Sequence, residues 1–176
     1  MLIWINGPFG VGKTALSTAL SSITGYPIFD PEDLGFLMRE TIPQSPYDFQ
    51  DLPAWRRLVP SFATELVRSG ATPLIVVQSV LNAKYWDEME CALEKSGISM
   101  IRVLLHADRD LLIDRIEADT IELGARRWRL DNLDAYEAAH GWLSLKSDLT
   151  IAERDATPGS AASRIARFMA EAETAK

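Results

Sequence analysis

The chain has 176 residues, of which 47% are hydrophobic and 24% charged, and a formal net charge of −7. That length and apolar content suit one domain, residues 1–176, with a full core. The acidic balance argues against a general nucleic-acid binder, which needs basic surface to release counterions. The lone cysteine, Cys91, excludes an intramolecular disulfide and points to a reducing, cytoplasmic setting. No basic segment precedes the first apolar run and no apolar run nears the ~20 residues of a membrane span, so neither an export signal nor an integral membrane segment is read.

Leu2-Ile3-Trp4-Ile5 reads as a buried strand, about 2–6, running into Asn6. Gly7-Pro8-Phe9-Gly10-Val11-Gly12-Lys13-Thr14 then completes the phosphate-binding (Walker A) pattern G-x-x-x-x-G-K-[ST]. A helical pattern over 13–23 follows, with Leu16, Ala19, Leu20 and Ile23 on one face. Strand, glycine turn and helix N-terminus together make an anion site, because inward backbone amides and the helix dipole favour phosphate oxygens there. Residues 7–14 are therefore the expected ATP site, with Lys13 reaching the β- and γ-phosphates and the Thr14 hydroxyl on Mg²⁺.

A short strand at 27–29 ends at Asp30, and Asp30-Pro31 opens a helix over 31–41. Two readings of Asp30 stand side by side. It caps that helix, or, lying at the carboxyl end of a strand with Lys13, it orients and deprotonates an acceptor hydroxyl. The stretch 42–53, with Pro43, Pro46 and Pro53, is long and irregular, as functional loops often are. Phe49, Trp55 and Arg56 around it, with Phe36 and Arg39, are candidates to line an acceptor pocket, although a tryptophan such as Trp55 is more often core.

A helix over 54–69 leads to a strand at 73–77 that ends in Gln78-Ser79. Motor ATPases place a metal-binding carboxylate there; Gln78 carries no charge and is instead a candidate acceptor ligand. Next come a helix at 84–96, where Glu90-Cys91-Ala92-Leu93 marks Cys91 as a small packed thiol, and a strand at 100–105. In the helix at 108–118, Arg115 either stacks on a purine or pairs at the surface with Glu117 or Asp119.

Residues 119–131 read as a small lid in which Arg126, Arg127 and Arg129 flank Trp128. Such arginines clamp a transferring phosphoryl group on closure, or form a solvated face paired with Asp131 and Asp134. Helices at 131–145 and 158–173 flank a strand at 149–151. The last helix, with Arg164, Arg167, Glu171 and Glu173, reads as an amphipathic docking helix, with membrane-surface binding the weaker alternative. His106 and His140 have no metal-ligand spacing and read as structural. Alternating strands and helices predict α/β architecture around a parallel sheet.

Ile3-Trp4-Ile5-Asn6-Gly7 with the rest of the phosphate motif, Phe29-Asp30-Pro31-Glu32-Asp33-Leu34-Gly35-Phe36, and Asp48-Phe49-Gln50 with Trp55-Arg56 resemble the ATP-binding tunicamycin-resistance (TmrB-like) proteins. The resemblance covers roughly the first third of the chain; beyond Gly70 the layout is similar to nucleoside and nucleotide kinases in general. It implies a P-loop fold of that kinase type, with a five-stranded parallel sheet and helices on both faces. It implies catalytic roles for Lys13 and Asp30, with lid residues Arg126 and Arg127 beside them. Arg115 would pack on adenine, and Asp155-Ala156-Thr157-Pro158 would close over it, with Thr157 in the cofactor site. Asp119 stands where such kinases commonly carry a second arginine, so the lid contacts differ.

The expected activity is an ATP- and Mg²⁺-dependent phosphotransferase acting on a hydroxyl of a nucleoside-like molecule, such as an antibiotic. The alternative is a nucleotide-gated protein that sequesters the antibiotic unmodified. A GTPase switch is disfavoured, since no N-K-x-D motif occurs. The expected partners are nucleotide and small-molecule acceptor; a homodimer is left open.

Overall fold

The opening apolar run forms β1 (Leu2–Asn6), buried along its whole length. It is the middle strand of a sheet ordered β2-β3-β1-β4-β5, with β2 at Ile28–Phe29, β3 at Leu74–Val77, β4 at Met100–His106 and β5 at Leu149–Ala152. All pairings are parallel, so both faces must be covered and the strands read as continuous apolar runs. This is a computed structural model, and it describes residues 1–121, 123–152 and 157–174.

The helices are α1 (Lys13–Thr24), α2 (Pro31–Thr41), α3 (Pro53–Arg68), α4 (Ala83–Lys95), α5 (Arg109–Ala118), α6 (Arg126–Asp131), α7 (Leu133–Lys146) and α8 (Pro158–Thr174). Period-two alternation in β1 divides the core. Ile3 and Ile5 join Leu16 and Leu20 of α1 with Ala161, Ala162, Ile165 and Met169 of α8. Leu2 and Trp4 face the other way, onto Trp55, Val59 and Ala63 of α3 and Trp86, Met89 and Leu93 of α4. Full burial of each such large side chain contributes about 1.5–3 kcal/mol. The C-terminal helix thus docks on α1 as its pattern predicts. Among the described residues no helix is long and apolar enough to cross a membrane.

Three expectations need correcting. The helix predicted at 131–145 begins later, and the lid before it is partly helical, because Asn132 ends α6. The Asn132 amide nitrogen Nδ2 and its backbone N–H both donate to the Trp128 carbonyl, at 2.8 and 3.1 Å. The stretch 42–53 is not wholly irregular: Asp48 accepts from the Gln50 N–H at 2.9 Å and starts a 3-10 turn at Phe49–Asp51. Cys91 is exposed, not packed, since the buried stripe of α4 is Trp86, Met89 and Leu93 and position 91 falls off it.

Candidate functional site

The loop between β1 and α1 takes the anion-binding shape. Gly7, Gly10 and Gly12 have φ of 149°, 79° and 96°, a region that side chains with Cβ avoid. Close approach reinforces the choice: a Cβ on Gly7 would lie 2.6 Å from the Leu105 carbonyl oxygen, and one on Gly10 2.9 Å from Ile116. Asn6, 4% exposed, anchors the entry. Its Oδ1 accepts from the Gly7 and Val80 amides at 2.8 and 3.0 Å, and its Nδ2 donates to the Val80 carbonyl at 3.1 Å. Ser79 Oγ donates to the Gly7 carbonyl at 2.8 Å, and Gln50 Nε2 donates to the Ser79 carbonyl at 2.8 Å. A continuous chain of bonds therefore joins the phosphate loop to the segment after β3 and to the 49–51 turn. Asn6 and Ser79 escaped the sequence reading; the only signal of either was the Asn directly before Gly7.

Lys13 folds over this loop, its Nζ donating to the Pro8 carbonyl at 2.7 Å and lying 5.4 Å from the Phe9 ring centroid. Burial pulls the ammonium down to about 8; Glu32 and Asp30 draw it upward, and Arg129 pushes it further down. Asp30 is the N-cap of α2, accepting from the Glu32 N–H at 2.9 Å, and it also lies close enough to Lys13 for their charges to interact. The cap reading is therefore met by the structure, and the same position sets Asp30 beside Lys13. Burial raises its carboxyl above the ordinary value, with Asp33 adding to the rise and the Glu32 amide and Lys13 opposing it. Glu32 was not among the sequence candidates, yet it is the largest attractive partner of Lys13. Burial and then Asp30 push its own carboxyl up, against Lys13 and Arg129. The helical phase of α2 brings Glu32 there, and residue type alone could not reveal it.

The lid separates its arginines. Arg129 pairs with Asp119 at 2.7 Å, its side chain 16% exposed, and faces Lys13 and Glu32 electrostatically. Arg126 donates to the Asp119 carbonyl at 3.0 Å. The structure does not bring Arg127 to the loop: it is 88% exposed and pairs with Asp131 at 3.0 Å. Trp128 packs edge-on against Phe9 at 4.5 Å and against Tyr47 at 5.8 Å. Arg115 donates to the Val11 carbonyl at 3.2 Å, touching the phosphate loop from α5. Thr157 caps α8, its Oγ1 accepting from the Ser160 N–H at 3.2 Å; Asp155 and Ala156 lie outside the described residues.

A cavity of about 460 Å³ adjoins the loop, with Phe9, Asp48, Gln50, Asp51, Ser79 and Tyr85 in its wall. The segments predicted for the acceptor do build it, but with other side chains. Trp55 is fully buried, its Nε1 donating to the Pro31 carbonyl. Phe49 is buried against Trp55 and Phe36, and half-exposed Phe36 lies outside the cavity wall. Arg39 sits among the rings of Phe36, Tyr47 and Phe49, each 5.6–5.7 Å away. Arg56 binds Glu88 at 2.7 Å and the Gln50 carbonyl, and stacks 4.0 Å from Tyr85. Gln78 is 2% exposed, with Nε2 on the Ser79 carbonyl and Oε1 unpartnered among the described residues. His106 at the end of β4 and His140 of α7 stack at 4.4 Å, and the Tyr136 hydroxyl bonds His106 Nδ1 at 2.7 Å, a cluster that joins the two elements.

These residues fit a Mg²⁺-triphosphate: a glycine cradle, a poised lysine, and the exposed Thr14 at the first turn of α1. Among the described residues no group of three or more His, Cys, Asp or Glu could hold a metal by itself, so the metal would rest on Thr14 and the phosphates.

The comparisons agree with this geometry. The tunicamycin resistance protein of Deinococcus radiodurans is similar at 26% identity and a TM-score of 0.72, over 96% of this chain and 94% of that one. A sugar kinase from a Janibacter species (17%, TM-score 0.69, 96% and 93% covered) and the Mycobacterium tuberculosis APS kinase (19%, 0.67, 96% and 96%) share the fold. No curated protein matches the sequence. The family model described as an AAA domain matches residues 2–120, which hold the phosphate loop, the capped carboxylates and α5, and the chain therefore belongs to that family, as a P-loop kinase-like protein.

Proposed function

We infer that the protein is an ATP-dependent kinase that phosphorylates a hydroxyl of a nucleoside-like small molecule, such as a tunicamycin-type antibiotic. The observation that carries this reading is the meeting of Lys13 with the desolvated carboxylates Asp30 and Glu32 beyond the carboxyl ends of β1 and β2, the two strands that flank β3, beside a ligand-sized cavity. Bound MgATP supplies the phosphoryl group and the metal charge that screens it. The N–H groups of residues 9–12 and Lys13 would hold the phosphates, and Thr14 would give its hydroxyl to the metal. Asp30, whose carboxylate burial makes more basic, accepts the proton from the acceptor hydroxyl. Arg129 and Arg126 meet charge on the transferring group as α6 closes, and Phe9 with Trp128 excludes water. Arg115 borders the nucleotide through Val11, and Thr157 opens the helix nearest the adenine.

Asp30→Asn is the direct test, because asparagine caps a helix as well as aspartate and the fold survives. Turnover in a phosphotransfer assay should fall by roughly 10²–10⁴-fold, while calorimetric ATP affinity stays within about threefold. Unchanged turnover removes Asp30 from the mechanism. The sequestration reading draws on the engagement of Asp30 Oδ1 as a helix cap; mass spectrometry of recovered ligand separates the two, by a gain of one phosphate or none.

A further inference from the structure

We propose that the acceptor is an uncharged or amine-bearing polyhydroxyl compound, and that Asp48 and Asp51 exclude carboxylated and phosphorylated acceptors from the pocket. The inference rests on the kinase reading and names its substrate class.

The cavity beside the phosphate loop brings Asp48 and Asp51 together with the neutral polar groups of Gln50, Ser79, Tyr85 and Asn132, and among the described residues its wall holds no lysine, arginine or histidine. The basic side chains of the same segments lie outside the wall, although Arg39 is near enough to draw the Asp48 carboxyl down. Arg56 is held by Glu88, the Gln50 carbonyl and the Tyr85 ring, and Arg39 is enclosed by three aromatic rings. Lys13 and Arg129 belong to the phosphate end and do not line the cavity. The polar groups that remain favour donors on the ligand. Asp48 is half-buried and desolvated, and only one of its oxygens is engaged by the Gln50 amide. Asp51 accepts from the Tyr85 hydroxyl at 2.9 Å through Oδ1. Acceptor oxygens without cations suit hydroxyl and ammonium donors, whereas a carboxylate or phosphate entering this wall meets like charge in a medium less polar than water.

The test uses the full chain with Mg²⁺ and the β,γ-imido analogue of ATP. Calorimetry then compares two matched sets: glucose, glucosamine and gluconate; and uridine, 5′-amino-5′-deoxyuridine and uridine 5′-monophosphate. In at least one set the neutral and amine members should bind ten times more tightly than the anion. The double variant Asp48→Asn with Asp51→Asn should narrow that gap at least fivefold. Asparagine keeps the cap on the 49–51 turn, and an unchanged melting temperature verifies the fold. Equal or tighter binding of the anion, no preference in either set, or a gap untouched by the double variant overturns the proposal. Absence of affinity for the ATP analogue itself is a separate result and overturns the kinase reading instead.

Discussion

Phe9 of the phosphate loop and Trp128 of the lid meet edge to face, with ring centroids 4.5 Å apart and planes at 62°. Phe9 also lies under the Lys13 ammonium and in the wall of the acceptor cavity. One ring therefore borders Lys13 of the phosphate loop, α6 and the cavity at once, and Trp128 is positioned to report on all three.

Nucleotide binding that draws Lys13 away from the Pro8 carbonyl must disturb this contact. The intrinsic fluorescence should change on adding MgATP, and Trp128→Phe should abolish most of that change while Trp4, Trp55, Trp86 and Trp142 remain. An aromatic pair of this kind is worth about 0.5–1.5 kcal/mol. Trp128→Ala removes a contact that the free protein makes and nucleotide disturbs, so ATP affinity should stay equal or rise by up to roughly tenfold, as titration would measure.

Lys13 gives the site a pH signature. Its ammonium titrates near 8 because it is buried, and a bound triphosphate raises that value. Below about pH 7 the lysine is charged with or without nucleotide, so affinity is flat. Above pH 8 binding must take up a proton, and affinity falls by up to roughly tenfold per pH unit. Calorimetry from pH 7 to 9.5 in buffers of different ionisation enthalpy would detect the uptake, and Lys13→Met should flatten the curve. For unfolding the sign is opposite. The folded-state value of about 8 lies below the ordinary 10.5, so the folded protein binds fewer protons in that window and this residue's contribution to stability rises with pH.

The lid arginines should separate by position. Arg127 is almost wholly exposed and pairs only across one helical turn, an interaction worth about 0.3–0.5 kcal/mol. Arg127→Ala should leave turnover within about twofold. Arg129→Ala should lower turnover by roughly 10²-fold or more and move the Lys13 titration upward, since Arg129 holds that value down. Steady-state kinetics and the pH dependence of ATP binding read the two effects; equal losses from both variants would refute the assignment.

Much of the architecture was legible because it rests on local chemistry. The sequence by itself determined the five strands, the phosphate loop and the cap at Asp30, since apolar periodicity, glycine spacing and an Asp-Pro pair each act within a few residues. It also drew attention to the 42–56 and 119–131 segments, parts of which lie beside the phosphate loop in the fold. It could not say which side chain of each segment faces the cavity. Arg56 and Trp55 hold the scaffold while Asp48 and Asp51 line the space, and Arg129 rather than Arg127 approaches Lys13. Glu32 and Ser79 emerged only once α2 and the segment after β3 were packed beside the loop. Those choices depend on how helices rotate to bury Trp55, Phe49 and Trp128 against distant partners, and tertiary packing alone sets that rotation.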